Sequence, residues 1–161
     1  MAKAIKLLAM DVDGTLTDGK IYIGASGEVM KSFSVKDGCG IVLLHKAGIK
    51  TAIITGRTSK IVEERAKELS ITYVRQGISD KVAALRQICE QEHITMEEVA
   101  YIGDDLNDIE VLQAARISFA PADAAKQVID IATNCLTHPG GDGAVRECAE
   151  YILEMKRRQD I

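Results

Sequence analysis

Carboxylates, glycines and hydroxyls crowd the run Asp11-Val12-Asp13-Gly14-Thr15-Leu16-Thr17-Asp18-Gly19, directly after the apolar segment Ile5 to Met10, in which only Lys6 is charged. The apolar segment reads as a buried parallel strand. In an open α/β sheet, ligands sit at the carboxyl ends of strands. If strand geometry persists through Asp13, the side chains of Asp11 and Asp13 point one way and Val12 the other. Gly14 permits a turn that other residues resist. This is the pattern of a nucleophile and metal loop for phosphoryl transfer.

Three further polar groups stand at predicted strand ends. Lys50 to Ile54 ends in Thr55-Gly56-Arg57. Ile71 to Val74 leads through Gln76-Gly77-Ile78-Ser79-Asp80 to Lys81, which opens a helix against the helix dipole. Val99 to Ile102 ends in Gly103-Asp104-Asp105-Leu106-Asn107-Asp108. Each has a plain structural reading: a surface lysine, or an acidic turn with a helix cap. Together they form a site. A phosphate monoester repels nucleophiles, so clustered carboxylates need a cation, and hard Mg²⁺ prefers oxygen ligands. Asp11 and Asp104 are the carboxylates to bind it, and Lys81 adds positive charge. Asp11 attacks phosphorus, Asp13 serves as acid and then base, and Thr55 with backbone N–H groups holds the phosphoryl oxygens.

The elements that must position these residues follow from the pattern. A β-hairpin at Lys20 to Ile23 and Val29 to Phe33 surrounds Gly24-Ala25-Ser26-Gly27 and lies where a flap would be. Asp37-Gly38 precedes a helix running to about Lys46, and Ala47-Gly48 ends it. Ser59 caps the next helix, whose apolar stripe is Ile61, Val62, Ala66 and Leu69. Arg65 falls inside that stripe, which admits a snorkelling side chain or a contact to an anionic ligand or another subunit. Thr95 to Glu98 reads as a short capped turn. A helix near Ile109 to Ala115, a strand at Ile117 to Ala120, a helix near Ala122 to Ile129 and an edge strand at Ile131 to Cys135 complete the alternation. His138-Pro139-Gly140-Gly141-Asp142-Gly143 reads as a flexible connector into a final helix with Val145, Cys148, Ala149 and Ile152 on its apolar face. Lys156-Arg157-Arg158 reads as a solvated basic tail. The order predicts one doubly wound, Rossmann-like α/β domain over residues 1–161, with a hairpin at about 18–36 and a C-terminal helix and tail at about 143–161.

Composition agrees. The 161 residues suit one core, with 47% apolar and 27% charged residues. A formal charge of −4 without a long basic run argues against nucleic acid as a partner. No apolar stretch reaches membrane length, and the N-terminus lacks a signal-peptide pattern, so a cytoplasmic protein is expected. Cys39, Cys89, Cys135 and Cys148 show no metal-ligand spacing with His45, His93 or His138, which predicts four reduced, mostly buried thiols rather than zinc.

Asp11-x-Asp13-Gly14-Thr15, Thr55-Gly56-Arg57, Lys81 and Gly103-Asp104-Asp105-x-x-Asp108, in that order, resemble the four motifs of the haloacid dehalogenase-like phosphatases. The resemblance implies Asp11 as nucleophile, Asp13 as acid/base, and Mg²⁺ held by Asp11, the Asp13 main-chain carbonyl and Asp104. Asp105 and Asp108 match the rest of the acidic motif, with Asp108 orienting Lys81 or the metal's waters. Neither gap between motifs leaves room for a cap domain. Capless members oligomerise, so a homotetramer whose subunits roof each other's sites is expected. Val35-x-Asp37-Gly38, Asp80-Lys81 and Gly140-Gly141-Asp142-Gly143-Ala144-Val145-Arg146-Glu147 narrow the resemblance to members acting on an eight-carbon sugar-acid phosphate in lipopolysaccharide synthesis. Thr15 stands where many of that group have Val. Thr55, Gly56, Arg57, Arg65 and Lys81 resemble the substrate-binding set, Arg65 acting from a neighbouring subunit. A nine-carbon sugar-acid 9-phosphate is the rival substrate. A phospho-accepting receiver domain is the rival class, disfavoured because Asp11-x-Asp13 lies at the first strand.

Overall fold

The computed structural model describes residues 3–159, so the first two and last two positions of the expected domain lie outside the described residues. Its elements are β1 (Leu7–Met10), β2 (Tyr22–Gly24), β3 (Gly27–Met30), α1 (Val35–Lys46), β4 (Lys50–Ile54), α2 (Lys60–Glu68), β5 (Tyr73–Arg75) and α3 (Lys81–Glu92), followed by a 3-10 turn at Met96–Glu98. Then come β6 (Val99–Ile102), a second 3-10 turn at Leu106–Asp108, α4 (Ile109–Ala114), β7 (Ile117–Ala120), α5 (Lys126–Ile131), β8 (Asn134–Cys135) and α6 (Ala144–Gln159).

Six strands form one parallel sheet in the order β5-β4-β1-β6-β7-β8, while β2 and β3 form a separate antiparallel ribbon. β1 and β6 are buried along their whole length, as expected of central strands covered on both faces. Alternate residues feed two cores. Leu8, Met10, Ile53 and Ile102 pack under α1, α2 and α6. Leu7, Ala9, Ile54 and Tyr101 pack under α3, α4 and α5. The chain leaves β1 outward through β4 and β5, then returns to place β6 on the other side of β1. That reversal opens a crevice at the carboxyl ends of β1 and β6, where Asp11 and Asp104 emerge.

Local signals explain most boundaries. Ser34 caps α1 by accepting from the Asp37 N–H, Ser59 caps α2 from Val62, and Asp80 caps α3 from Ala83. Gly48, at φ +78°, lets the chain turn from α1 into β4. Thr95 and Glu98 form a reciprocal capping box.

Several expectations are corrected. The hairpin strands sit inward of the predicted runs, because Gly24 and Gly27 pair with each other and leave only Ala25-Ser26 as the turn. The third core strand begins at Tyr73, since Ile71 packs into the core from the preceding loop. α5 starts at Lys126 after a turn closed by the Ala124 N–H on the Pro121 carbonyl, and Ile131 belongs to that helix. The basic tail continues α6, with Arg157 and Arg158 paired to Glu154. Only Cys89 and Cys148 are buried; Cys39 and Cys135 are exposed, one on the solvent side of α1 and one on the edge strand. Among the described residues, no helix is long and apolar enough to cross a membrane.

Candidate active site

The loop after β1 is wound around the Val12 carbonyl, which accepts from the N–H groups of Thr15, Leu16 and Thr17 at 3.0, 2.9 and 3.1 Å. The Thr17 hydroxyl accepts from the N–H groups of Gly14 and Gly19, both at 3.2 Å. Gly14 has φ +88°, and a Cβ there would fall 1.9 Å from Asp104 Oδ2. Glycine is therefore required twice over, by conformation and by contact. The Thr15 hydroxyl donates to Asp104 Oδ1 at 3.1 Å, joining the first acidic loop to the second.

Lys81 lies between the loops. Its Nζ is 3.1 Å from Asp11 Oδ1 and 2.8 Å from Asp108 Oδ1, and its side chain is 2% exposed. This accounts for a lysine in the first turn of a helix: α3 aims it into the crevice, and two buried carboxylates outweigh the dipole. Burial opposes its charge, but Asp11 and Asp108 more than offset this and hold its pKa above the usual value. Asp108 is saturated as an acceptor. Oδ1 also accepts from the Tyr101 hydroxyl at 2.8 Å, and Oδ2 accepts from the N–H groups of Asp104 and Asp105 at 3.0 and 3.3 Å.

Carboxylate oxygens of Asp11, Asp104 and Asp108 lie within 4.8 Å of one another. Burial and the nearby Asp108 push Asp11 up to about 7. Burial, Asp11 and Asp108 push Asp104 up to about 8. Three carboxylates thus crowd together while the lysine bridges only Asp11 and Asp108, an arrangement that a divalent cation with oxygen preference would relieve. The donor set fits such an ion. Because Asp108 already accepts four hydrogen bonds, Asp11 and Asp104 are the carboxylates available to it, and Asp108 holds Lys81 and the Asp104 backbone in place.

Above this cluster, Asp11, Asp13, Thr55, Gly56, Arg57, Asp105 and Asn107 line a cleft of about 140 Å³. All the sequence-predicted residues except Arg65 therefore meet at one strand-end edge. Arg65 stands apart in this chain: Nη1 is 2.8 Å from Glu68, Nη2 donates to the Ser34 carbonyl at 3.3 Å, and the guanidinium lies over Phe33.

Two groups escaped the sequence reading. Lys31, just beyond β3, is 2.6 Å from Asp13 Oδ1 and 3.0 Å from Glu28, with its side chain 1% exposed. Burial works against its charge, yet the two carboxylates keep its pKa above the usual value. Glu28 also accepts from the Ser59 hydroxyl, so the ribbon is tied to the cap of α2. The only signal was the Glu28-x-x-Lys31 spacing on a hairpin next to the Asp loop. Asn107, read only as a spacer in the acidic motif, faces the cleft.

The profile of the haloacid dehalogenase-like hydrolase family matches residues 74–147. The chain is 45% identical over 162 residues to 3-deoxy-D-manno-octulosonate 8-phosphate phosphatase KdsC of Escherichia coli strain B, covering 99% of this chain and 86% of the relative. The crystal structure of the Moraxella catarrhalis 3-deoxy-D-manno-octulosonate 8-phosphate phosphatase, in complex with magnesium, phosphate and KDO, superposes with a TM-score of 0.93 at 43% identity, covering 99% of this chain and 91% of that one. The cobalt-bound Haemophilus influenzae deoxy-D-mannose-octulosonate 8-phosphate phosphatase gives 0.93 at 40% identity, over 95% and 90% of the two chains.

Proposed function

Because this chain belongs to the haloacid dehalogenase-like hydrolases, among the 3-deoxy-D-manno-octulosonate 8-phosphate (KDO 8-phosphate) phosphatases, we propose that it is a Mg²⁺-dependent phosphomonoesterase that releases KDO and phosphate from that ester. The observation that carries the mechanism is Asp11 buried against Lys81, with Asp13 at the same cleft.

Asp11 is the nucleophile. One carboxylate oxygen forms a bond to phosphorus as the bond from phosphorus to the sugar oxygen breaks. Asp13, entering as the acid, gives its proton to the departing oxygen. Water then attacks the aspartyl-phosphate, Asp13 takes a proton from it, and phosphate leaves with Asp11 restored. Thr55 and Gly56 flank the phosphoryl group, and Arg57 offers a guanidinium to the substrate's carboxylate. Lys81 favours the ionised form of Asp11 against burial and Asp108, and aims its carboxylate. Mg²⁺ held by Asp11, Asp104 and the Asp13 carbonyl supplies charge neutralisation for the carboxylates and the phosphoryl oxygens. Asp105 and Asp108 support this set.

The ribbon exposes Ile21, Tyr22, Ile23, Val29 and Met30. Such a patch supports a homotetramer in which neighbouring subunits cover the cleft and bring Arg65 to it. A cytoplasmic place in lipopolysaccharide synthesis follows from the substrate. The deciding assay follows Mg²⁺-dependent phosphate release from KDO 8-phosphate beside a nine-carbon sugar-acid 9-phosphate and a hexose phosphate. Preference for KDO 8-phosphate is expected; preference for the nine-carbon acid would overturn the substrate assignment, and no release from any would overturn the reaction.

A further inference from the structure

The connector His138 to Gly143 is built into the molecule at both ends. The Thr137 and His138 N–H groups donate to the Glu147 carboxylate at 3.0–3.1 Å, and His138 Nδ1 is 2.8 Å from the same group. The Gly140 N–H donates to Asp123 Oδ1 at 2.9 Å. The Pro139 carbonyl accepts from the N–H groups of Asp142 and Ala144 at 3.2 and 3.3 Å. Further along, the Arg146 N–H donates to the buried Asp37 at 3.0 Å, fixing the start of α6 to α1. Expected as a flexible link, this segment is held by the side chains of Asp123 and Glu147.

Its tip presses on the catalytic loop, backbone against backbone. A Cβ on Gly140 would fall 1.8 Å from the Gly14 carbonyl oxygen and 3.1 Å from that of Thr17. A Cβ on Gly141 would fall 2.4 Å from the Asp18 nitrogen and 2.5 Å from the Thr17 carbonyl carbon. The Gly141 N–H donates to the Thr15 carbonyl at 3.0 Å. Gly14 and Thr15 are in turn the residues that meet Asp104, Gly14 by close approach and Thr15 by its hydroxyl. A continuous line of contact runs from Gly140 and Gly141, through the backbone of the nucleophile loop, to Asp104, a carboxylate available to a cation.

From this contact we infer that Gly140 and Gly141 are positioning residues for the hydrolysis: their bare backbone braces the loop carrying Asp11 and Asp13 and sets its distance from Asp104. The inference rests on the proposed reaction only for the choice of cation and substrate. The brace acts through Gly14 and Thr15 and touches neither substrate nor metal. Any side chain at Gly140 must displace the Gly14 peptide, which lies against Asp104, because the loop behind Gly140 is held by Asp123 and Glu147. Backbone strain is not the cause there, since Gly140 is not among the positive-φ glycines.

The test compares Gly140→Ala with Gly48→Ala in the full chain. Gly48 has φ +78° and open space around its missing Cβ, so its substitution strains the backbone far from the site without a clash. Mg²⁺ affinity is read by calorimetry with the metal alone, kinetics on KDO 8-phosphate at saturating Mg²⁺, and folding by thermal unfolding. Gly140→Ala is expected to weaken Mg²⁺ binding about tenfold and to lower kcat about a hundredfold with KM little changed. Gly48→Ala is expected to keep wild-type Mg²⁺ affinity and kcat. Equal Mg²⁺ affinity and kcat in the two variants would overturn the brace. Should Gly140→Ala not fold, Asp123→Ala decides, since it removes the anchor of the Gly140 N–H and adds no atoms: unchanged Mg²⁺ affinity overturns the proposal, and a loss of about threefold or more upholds it. Wild-type protein that binds Mg²⁺ but hydrolyses no phosphate ester would sink the proposed function, while the metal titration would still decide the brace.

Discussion

The two ends of the parallel sheet carry similar residues to opposite effect. At the amino end, Lys6, Lys50, Glu92 and His93 border a cavity of about 170 Å³, close in size to the 140 Å³ cleft at the carboxyl end. There each carboxylate has its own partners. Glu98 lies 2.8 Å from Lys6 and accepts from the Thr95 N–H at 2.9 Å, which pulls it down to about 2. Glu92 pairs with Lys50 at 2.6 Å and accepts from the Tyr73 hydroxyl, which lowers its pKa as well. At the carboxyl end Asp11 and Asp108 share Lys81 with the half-buried Asp104 crowded beside them, and Asp11 and Asp104 are driven up. Cavity size does not separate the two ends. Unresolved like charge does, and it marks the end where a cation and an anionic substrate complete the balance.

The sharpest way to break the contrast is Asp11→Asn. Phosphate release is expected to fall by about 10⁴-fold or more, with the fold retained because one of the crowded charges is gone. A variant with measurable turnover near wild type would remove Asp11 from the chemistry. Lys81→Met comes next. It leaves Asp11 and Asp108 buried without their cation, so thermal or urea unfolding should register a loss of about 3–5 kcal/mol together with lost activity.

The two ends should also answer pH differently. In cation-free protein Asp11 and Asp104 have folded pKa values above the ordinary 3.8, so the native state binds more protons than the unfolded chain between about pH 4 and 8. Stability contributed at this end is present at low pH and declines as pH rises through 7 and 8. Mg²⁺ competes with those protons, so the rise in melting temperature on adding Mg²⁺ should be larger at pH 8.5 than at pH 6; the reverse order would show that these carboxylates do not bind it. Glu98 behaves oppositely: its contribution is present above 4.5, is lost as pH falls toward 2, and should ignore Mg²⁺.

Lys31→Met should lower kcat by about ten- to a hundredfold, because Asp13 loses the ammonium that orients it, and Lys31→Arg should restore part of the loss. An unchanged kcat would reduce Lys31 to a hairpin anchor. The smallest effect is expected from Lys50→Ala at the amino end: a melting temperature close to wild type and no change in turnover, since Lys50 is half exposed. A kinetic defect there would break the comparison.

The strand ends were legible because their signals are local. Lys50–Ile54, Val99–Ile102 and Ile117–Ala120 occur at their predicted bounds, and α3 opens at Lys81 behind its Asp80 cap. Apolar runs, caps and glycine stops act between neighbours in the chain. The hairpin and α5 were misplaced by a few residues because cross-strand pairing of Gly24 with Gly27, and the turn at Pro121, depend on partners outside the local pattern. Within this chain Arg65 fits its apolar stripe by laying its guanidinium over Phe33 beside α1, a contact that local periodicity does not show.

By itself the sequence determined the set of reactive groups and the strand end on which each stands, since side-chain chemistry and short-range periodicity are written in order along the chain. Only the tertiary structure decided which groups share charge. The return of the chain to β6 beside β1 brings Asp104 to Asp11, the ribbon folds Lys31 onto Asp13, and the Gly140-Gly141 tip closes on Gly14. Those meetings join residues far apart in the chain, and their distances are set by the packing of two buried faces on one sheet rather than by any local preference.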